Sequence, residues 1–244
     1  MGEKRSHVSG ADDPLFSEQL AYYEARAPEY DEWIERRGRY DRGPELNAIW
    51  HQEMDLLRRT LAESGISGHA LDLACGTGNW TRVLATCADR VTAIDASASM
   101  LAVNRRRLED ARLLDKVEYV QADLFAWRPD REYDGAVMGF ILSHIPDDRL
   151  DEFLATVSSA LRPGGRVFIA DSRYEPASSP ADSPPPTGDE IVTTRRLNDG
   201  RAFRIYKLFR SPREYEEAFA RHGIKLEARE TPRFFVYGCG EKLG

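Results

Sequence analysis

The chain has 244 residues, of which 41% are hydrophobic and 31% are charged. This length and composition suffice for one large globular domain and exclude a wholly disordered chain. Because 34 basic residues stand against 41 acidic ones, the net charge of −7 argues against binding of nucleic acid through bulk positive charge.

The N-terminal part of the chain is predicted to be helical after a polar, disordered tail at residues 1–13. Residues 15–37 are amphipathic and rich in aromatic side chains, which predicts one or two helices broken near Pro28. A glycine-punctuated loop follows at 37–43. The spacing of apolar residues then predicts a helix over 45–64.

The central part alternates short apolar strands with helices. Strands are predicted at 69–75, 90–95, 117–123, 133–140 and 165–171, and helices after the first, second and fourth of them. This alternation is typical of βαβ units, and it predicts an α/β fold with a mostly parallel sheet and helices on both faces.

The C-terminal part is predicted to contain a flexible Pro/Ser-rich surface loop at 176–188. A β-hairpin around Asn198-Asp199-Gly200, a helix that begins after Ser211, and two closing strands follow. We therefore divide the chain into a helical N-terminal lid at 14–66 and a core at 67–244, within which residues 173–210 form a loop and hairpin that cap the substrate.

No apolar run approaches the roughly 20 residues that span a bilayer, and the N-terminus lacks the apolar segment of a secretory signal. Cys75, Cys87 and Cys239 are scattered, which indicates neither a disulfide framework nor a zinc site. We expect a cytoplasmic monomer or homodimer with no metal and no membrane or nucleic-acid partner.

Acidic and small residues follow three predicted strands in turn. The run from Asp72 to Gly78 lets backbone N–H groups approach a ligand closely. Asp95 ends the second strand, where an acid can accept both hydroxyls of a ribose, and Asp123 ends the third. A dinucleotide cofactor is the alternative, but the loop lacks the third glycine of that fingerprint.

These motifs resemble a known family. LDLACGTG, AIDAS followed by ML, QADLF, GFILSHIPDD and LRPGG are similar, in this order, to the motifs of class I S-adenosylmethionine-dependent methyltransferases, over residues 69–172. The resemblance implies S-adenosylmethionine as cofactor and a Rossmann-like, seven-stranded, mostly parallel sheet with an antiparallel last strand. The run GFIL stands where nucleic-acid methyltransferases carry an Asn/Asp-Pro-Pro-Tyr/Phe-type motif.

The resemblance also assigns residues to parts of the cofactor. It implies that Ala74, Gly76 and Gly78 hold the methionine part, Asp95 the ribose, Ala96 and Met100 the adenine faces, and Asp123 with Leu124 the adenine edge. Phe140, Tyr22 and Tyr30 complete the predicted cofactor-binding set.

A closer resemblance, to the phosphonate O-methyltransferase type known from dehydrophos biosynthesis, extends beyond the cofactor motifs. It is carried by YYEARAPEYD near the N-terminus and by RRLNDGRAFRIYKLFRSP in the hairpin. The chain departs from that type by a longer insert at roughly 34–50. The resemblance implies that an arginine and a lysine of the hairpin grip an oxyanion of the acceptor.

Strand alternation in the hairpin places Lys207 on an otherwise apolar face, and Arg195 lies on the partner strand. These two side chains are predicted to bind an anionic substrate, together with Arg204 from the opposite face and Tyr40 from the insert. The alternative is a solvated, charged hairpin.

Two further side chains are candidates for catalysis. His144 follows the fourth strand and is a candidate general base, with a polar residue that only shapes the pocket as the alternative. Tyr30 lies eight residues after Tyr22, which we interpret as one helical face of a lid. Core packing is the alternative for its neighbours Tyr23 and Trp33.

The resulting hypothesis is methyl transfer from S-adenosylmethionine to a small molecule, with an oxygen of an anionic phosphonate or carboxylate as the favoured acceptor. One alternative is an N-methyltransferase, in which His144 or Glu53 would matter more. The second is a non-catalytic, S-adenosylmethionine-binding regulatory module.

Overall fold

The computed structural model describes residues 13–180, 182–183, 185–188 and 190–244. Of the predicted disordered tail, residues 1–12 lie outside the described residues. Asp13 belongs to the first helix as its N-cap, because its carboxylate accepts a hydrogen bond from the backbone N–H of Leu15 at 2.9 Å.

The described residues form helices and strands in the predicted order. The helices are α1 Pro14–Arg26, α2 Asp31–Glu35, α3 Pro44–Ala62, α4 Asn79–Cys87, α5 Ala98–Asp110, α6 Asp147–Ala160 and α7 Pro212–Ala220. The strands are β1 His69–Leu73, β2 Arg90–Asp95, β3 Val117–Gln121, β4 Tyr133–Gly139, β5 Leu161–Ser172, β6 Val192–Arg196, β7 Ala202–Tyr206, β8 Ile224–Glu230 and β9 Phe235–Lys242.

Seven of these strands form one sheet in the order β3-β2-β1-β4-β5-β9-β8, and β9 runs antiparallel to both of its neighbours. This confirms the predicted fold class. The strand order reverses between β1 and β4, which is where open α/β sheets bind ligands. The register pairs Leu73 with Ile94 and with Met138, so the carboxyl ends of β1, β2 and β4 meet at one edge.

Helix α3 belongs to the predicted lid segment at 14–66, but it packs within the core. Its Trp50, Met54, Leu57 and Leu61 are buried in the same hydrophobic cluster as residues of the sheet. Helix α1 instead contacts the hairpin formed by β6 and β7. Trp33 and Ile34, which precede α3, belong to the same cluster, and the division into lid and core stays a prediction.

The described residues of 176–188 form a connection that is partly buried rather than lying wholly on the surface, and its predicted flexibility stays a prediction. Distant arginine side chains hold its backbone: Arg36 donates to the carbonyl of Ala177 at 2.6 Å, and Arg42 donates to that of Ser179 at 2.7 Å. Ser178 and Ser179 are buried. Composition indicated a loop correctly, but the hydrogen bonds that fix it come from partners far away in sequence.

Strand β5 begins at Leu161, earlier than the predicted start at residue 165, so the Pro-Gly-Gly run at 163–165 lies inside the strand. A register shift between the pairings of Tyr133 and Gly135 accommodates it. No helix among the described residues is long and apolar enough to cross a membrane.

Candidate active site

A first cavity of about 930 Å³ opens at the carboxyl ends of β1, β2 and β4. Most of the residues predicted to bind a cofactor line it. They are Tyr30, Ala74, Gly76, Asp95, Ala96, Met100, Asp123, Leu124 and Phe140. The catalytic candidate His144 also lines this cavity.

The carboxylate of Asp95 fixes the loop that follows β1. Its Oδ2 accepts a hydrogen bond from the backbone N–H of Gly76 and its Oδ1 accepts one from that of Ser97, each at 2.9 Å. Burial raises the pKa of Asp95, whereas these backbone donors favour the ionised form. Each oxygen keeps a further lone pair, which suits the two hydroxyls of a ribose.

The backbone takes unusual conformations where the chain leaves β1 and β4. Ala74 and Phe140 both have a positive φ, of 56° and 63°. L-residues adopt this conformation at a cost, and such positions concentrate in functional sites. Both residues line the first cavity, so the strain lies where the chain turns around a ligand.

Gly78 does not line the first cavity, and its predicted contact with the cofactor stays a prediction. Its φ is 87°, and a Cβ there would lie 2.6 Å from Oδ1 of Asn104. The glycine is therefore required for the approach of α4 to α5, and it shapes the loop from behind.

The far end of the first cavity is apolar, with one acid. Met100, Leu124 and Phe125 line it together with Asp123, whose Oδ1 accepts a hydrogen bond from the backbone N–H of Phe125 at 2.9 Å. A flat heterocycle with polar edges fits such a surface.

Helix α1 is attached to the loop after β2 by Glu24. This carboxylate accepts hydrogen bonds from Ser97 Oγ at 2.6 Å and from the backbone N–H of Ser99 at 3.2 Å, at the N-terminus of α5. A carboxylate in this position also compensates the positive end of the helix dipole.

Helix α2 is attached to the loop after β1 by Asp31. Its Oδ1 accepts hydrogen bonds from Thr77 Oγ1 at 2.8 Å and from Asn79 Nδ2 at 3.0 Å, and its Oδ2 pairs with Arg107. Together, Glu24 and Asp31 connect the N-terminal helices to both loops that border the first cavity.

Tyr22 does not line the first cavity, so the geometry gives its predicted contact with the cofactor no support. Helix α1 ends at Arg26, so Tyr22 and Tyr30 do not share a helical face, and the buried ring of Tyr22 packs on Leu197 and Ile205 of the hairpin region. The neighbouring Tyr23, which we had weighed as core packing, lines the first cavity.

A second cavity, of about 480 Å³, lies between the N-terminal segment and the hairpin. Four residues line both cavities and form a shared wall: Tyr23, Tyr30, Phe140 and His144. Polar and charged side chains line its other sides, namely Arg26, Tyr40, Ser172, Ser178, Ser179, Arg195 and Lys207. A molecule in the second cavity would therefore meet one in the first across the shared wall.

Arg195 and Lys207 converge on the second cavity, as the strand alternation predicted. Arg195 Nη1 donates to the carbonyl of Ser183 at 2.5 Å, and Lys207 Nζ donates to Ser143 Oγ at 2.7 Å. Burial lowers the pKa of Lys207 to about 8, while Asp171, 3.8 Å from Nζ, opposes this effect. Their role in binding a substrate stays a prediction.

The geometry gives the predicted substrate contact of Arg204 no support. Its side chain is exposed, lines neither cavity, and pairs with Glu18 of α1 through an Nε–Oε2 hydrogen bond of 2.9 Å. Strand alternation already placed Arg204 on the face opposite Lys207. Tyr40, in contrast, lines the second cavity and accepts a hydrogen bond from Arg26 at 3.0 Å.

His144 is held in one tautomer. Its Nδ1 lies 2.7 Å from the carbonyl oxygen of Tyr206, which can only accept, so Nδ1 carries the proton and Nε2 accepts the hydroxyl of Tyr23 at 2.9 Å. Burial, with the charge of Lys207 adding to it, lowers the pKa of His144 well below its usual value. The ring is therefore neutral at physiological pH.

Glu53, the acid considered for an N-methyltransferase, lies outside both cavities. Its carboxylate accepts hydrogen bonds from Thr231 Oγ1 at 2.5 Å and from the backbone N–H groups of Arg233 and Phe234 at 2.9 Å. It holds the turn before β9. Nor do the described residues contain a cluster of His, Cys, Asp or Glu that could hold a metal ion.

Comparison with known proteins assigns the family. A family model described as a methyltransferase domain matches residues 70–165. Two solved structures match nearly the whole chain. The complex of DhpI with SAH is 36% identical, covers 94% of this chain and 97% of its own, and has a TM-score of 0.73. The complex of DhpI with SAM and HEP is 38% identical, covers 97% of this chain and 99% of its own, and has a TM-score of 0.72. The chain is an S-adenosylmethionine-dependent methyltransferase.

Other relatives match the methyltransferase over a shorter region. The demethylmenaquinone methyltransferase of Clavibacter sepedonicus is 35% identical over 56% of this chain and 55% of its own. The trans-aconitate 2-methyltransferase of Paracidovorax citrulli is 37% identical over 46% of this chain and 42% of its own. The chain spans about half the length of these curated relatives.

The residues of the first cavity fit S-adenosylmethionine, the cofactor of the methyltransferase. Asp95 would hold the ribose hydroxyls. Ala96 and Met100 would pack on the adenine, and Asp123 with Leu124 would meet its edge. The aromatic rings of Tyr30 and Phe140 would face the sulfonium, since a cation is stabilised over an aromatic face.

Sequence reasoning missed Arg26 as a residue of the site. The run YYEARAPEYD drew attention through its tyrosines, yet the arginine between them is buried and lines the second cavity. An arginine surrounded by aromatic residues on an amphipathic helix is the signal that could have revealed it.

Proposed function

We propose that the methyltransferase transfers a methyl group to an oxygen of a small anionic metabolite, such as a phosphonate or a carboxylate. The observation that carries this proposal is the second cavity, in which Arg195 and Lys207 lie across the shared wall from the first cavity. Two buried cations there match an anion better than any neutral or cationic acceptor.

Two relatives support an anionic acceptor. DhpI, the dehydrophos phosphonate O-methyltransferase, was solved as a complex with SAM and HEP, and the chain in that structure is 38% identical to this one. The trans-aconitate 2-methyltransferase of Paracidovorax citrulli is 37% identical over 121 residues and takes its name from a carboxylate.

Bound S-adenosylmethionine supplies an electrophilic methyl group on a sulfonium. The chain's own task is then to position the acceptor and exclude water. Arg195 and Lys207 orient the anion, and the rings of Tyr30 and Phe140 close the space between the cavities. Because an ionised oxygen is already a nucleophile, no strong base is required. Neutral His144 fixes the hydroxyl of Tyr23 at the shared wall.

An amine acceptor fits these surroundings poorly. A protonated amine would be repelled by the cations of the second cavity. Glu53, the acid that could have offset them, binds backbone N–H groups elsewhere. N-methylation is therefore the competing outcome of the experiment below.

The experiment removes one charge without removing bulk. Lys207→Met is expected to lower kcat/KM for methylation of ethylphosphonate or trans-aconitate by about tenfold or more, the equivalent of ~1.4 kcal/mol or more. Arg195→Ala is expected to act in the same direction. Mass spectrometry with isotope-labelled S-adenosylmethionine detects the methylated product and gives the rate.

Arg204→Met is the matched control, because Arg204 lies on the same hairpin but outside both cavities. It is expected to leave kcat/KM unchanged, and all three variants should bind S-adenosylmethionine as the parent does. The proposal is wrong if Lys207→Met keeps full activity on the anions, or if the parent methylates amines and not these acids.

A further inference from the structure

The second cavity carries more positive charge than one simple anion would balance. Three cationic side chains line it, those of Arg26, Arg195 and Lys207, and none of its described lining residues is Asp or Glu. Asp171, whose carboxylate lies 3.8 Å from Lys207 Nζ, is fully buried, and its oxygens accept hydrogen bonds from the backbone N–H groups of Ser143 and Ser172 at 2.8 and 2.7 Å.

Arg26 is the member of this group whose burial is explained neither by an ion pair nor by a network of hydrogen bonds among the described residues. It is only 8% exposed, and its Nη2 donates to Tyr40 Oη at 3.0 Å. Its guanidinium carbon lies 4.8 Å from the centre of the Tyr30 ring and 5.7 Å from that of Tyr40. A guanidinium has five N–H donors. Among the described residues, Arg26 uses one of them in a hydrogen bond and belongs to no ion pair.

Burying three cations together is unfavourable without anionic partners. Their mutual repulsion is visible at Lys207: burial lowers its pKa, and the charges of Arg195 and Arg26 add to the lowering. Asp171 compensates one charge. Two positive charges therefore remain at the wall of a cavity that has room for a small molecule.

We infer that Arg26 completes a three-cation site and that the acceptor consequently carries two negative charges, as a phosphonate dianion or a dicarboxylate does. This inference rests on the proposed function and narrows its substrate class. Arg195 and Lys207 would hold any anion, whereas Arg26 would distinguish a dianion from a monoanion. Arg26 lines the same cavity, so its unused donors would supply the hydrogen bonds that a second charge or a third oxygen requires.

A pair of tetrahedral probes of the same shape separates charge from fit. Ethylphosphonate reaches the dianionic state, whereas ethanesulfonate stays a monoanion. Calorimetry on the protein loaded with SAH should show ethylphosphonate binding at least about tenfold more tightly than ethanesulfonate, because a charge-assisted contact is gained. Succinate against butyrate makes the same comparison for carboxylates and identifies which dianion fits.

Arg26→Met should reduce this preference to about twofold or less, chiefly by lowering the affinity for the dianion. Arg26→Lys, which keeps the charge, should retain most of it, and Arg204→Met should leave it unchanged. SAH affinity and the thermal unfolding midpoint of each variant show whether the fold survives. If Arg26→Met does not fold, the inference is decided by the preference for ethylphosphonate over ethanesulfonate in the parent and in Arg26→Lys.

The inference fails if the parent shows no preference for a dianion, or if a folded Arg26→Met keeps the parental preference. In both cases the proposed function still holds if Lys207→Met lowers the affinity for both probes. The proposed function itself fails if the parent binds none of the four anions.

Discussion

Asp72 is a buried carboxyl at the base of the glycine loop. Its Oδ2 accepts a hydrogen bond from Thr81 Oγ1 at 2.6 Å, and its Oδ1 has no hydrogen-bond partner among the described residues. Burial raises the pKa of Asp72 to about 7 from an ordinary value of 3.8. Between these two pH values the folded protein keeps a proton that the unfolded chain releases.

It follows that Asp72 destabilises the folded state progressively as the pH rises. Asp72→Asn removes this titration, so the variant should gain free energy of unfolding relative to the parent between about pH 4 and pH 7, by on the order of 1–4 kcal/mol. Urea unfolding of both proteins at several pH values measures the difference. Parallel pH profiles would contradict the buried, protonated state of Asp72.

At the scale of residues, the sequence predicted the strand face on which a side chain lies better than the residue with which it pairs. Strand alternation placed Lys207 correctly on the face of the second cavity. It gave no information about Glu18, which pairs with Arg204 on the outside, because the two are 186 positions apart in sequence. Arg26 escaped attention for a related reason: Tyr40, which accepts its hydrogen bond, is 14 positions away, and the hairpin residues that line the same cavity are much further along the chain.

Helices α1 and α2 are the elements that connect the cofactor loops with the acceptor side. Glu24 and Asp31 attach them to the loops after β2 and β1. On the other side, Gln19 of α1 donates to the carbonyl of His144 at 3.2 Å and accepts from the backbone N–H of Tyr206 at 3.0 Å. Ordering of either cavity should therefore be transmitted to these helices.

Addition of SAH is expected to slow amide hydrogen exchange in residues 20–35, because it orders the two loops that Glu24 and Asp31 hold. In Asp31→Asn the slowing should be smaller in α2, since an amide is a weaker partner for Arg107. Exchange measured by mass spectrometry tests this, with Glu18→Gln as a control on the opposite side of α1. Identical exchange with and without SAH would mean that α1 and α2 form a static wall.

At the scale of elements, regular structure was predictable and the connection before the hairpin was not. Continuous apolar runs define strands that are buried on both faces, so β2 was predicted residue for residue. The segment at 176–188 contains no such pattern. Its conformation depends on arginine donors as far away as Arg36, at a separation of 141 residues, which no local rule detects.

For the whole molecule, the arrangement of the two cavities matters more than either one alone. The topology was predictable, because alternating strands and helices allow few right-handed arrangements and the family resemblance selected one of them. The second cavity was not predictable in full, since it is assembled from the N-terminal segment, the loop before the hairpin and the hairpin itself. What joins the cavities is the shared wall of Tyr23, Tyr30, Phe140 and His144.

Because one set of side chains borders both cavities, a ligand in the first cavity restricts the wall that the second ligand must contact. The second ligand then loses less conformational entropy on binding. We expect SAH to raise the affinity for ethylphosphonate by about fivefold or more, and ethylphosphonate to raise the affinity for SAH by the same factor, because coupling between binding equilibria is reciprocal. Calorimetric titrations of each ligand, with and without a saturating concentration of the other, measure both factors.

Tyr30→Ala should reduce both factors together, since it removes one of the two rings that the N-terminal segment contributes to the shared wall. Arg204→Met, outside both cavities, should leave them unchanged. Equal dissociation constants in the presence and absence of the other ligand would show that the two cavities bind independently. Unequal factors would mean that a third equilibrium, such as self-association, contributes to one of the titrations.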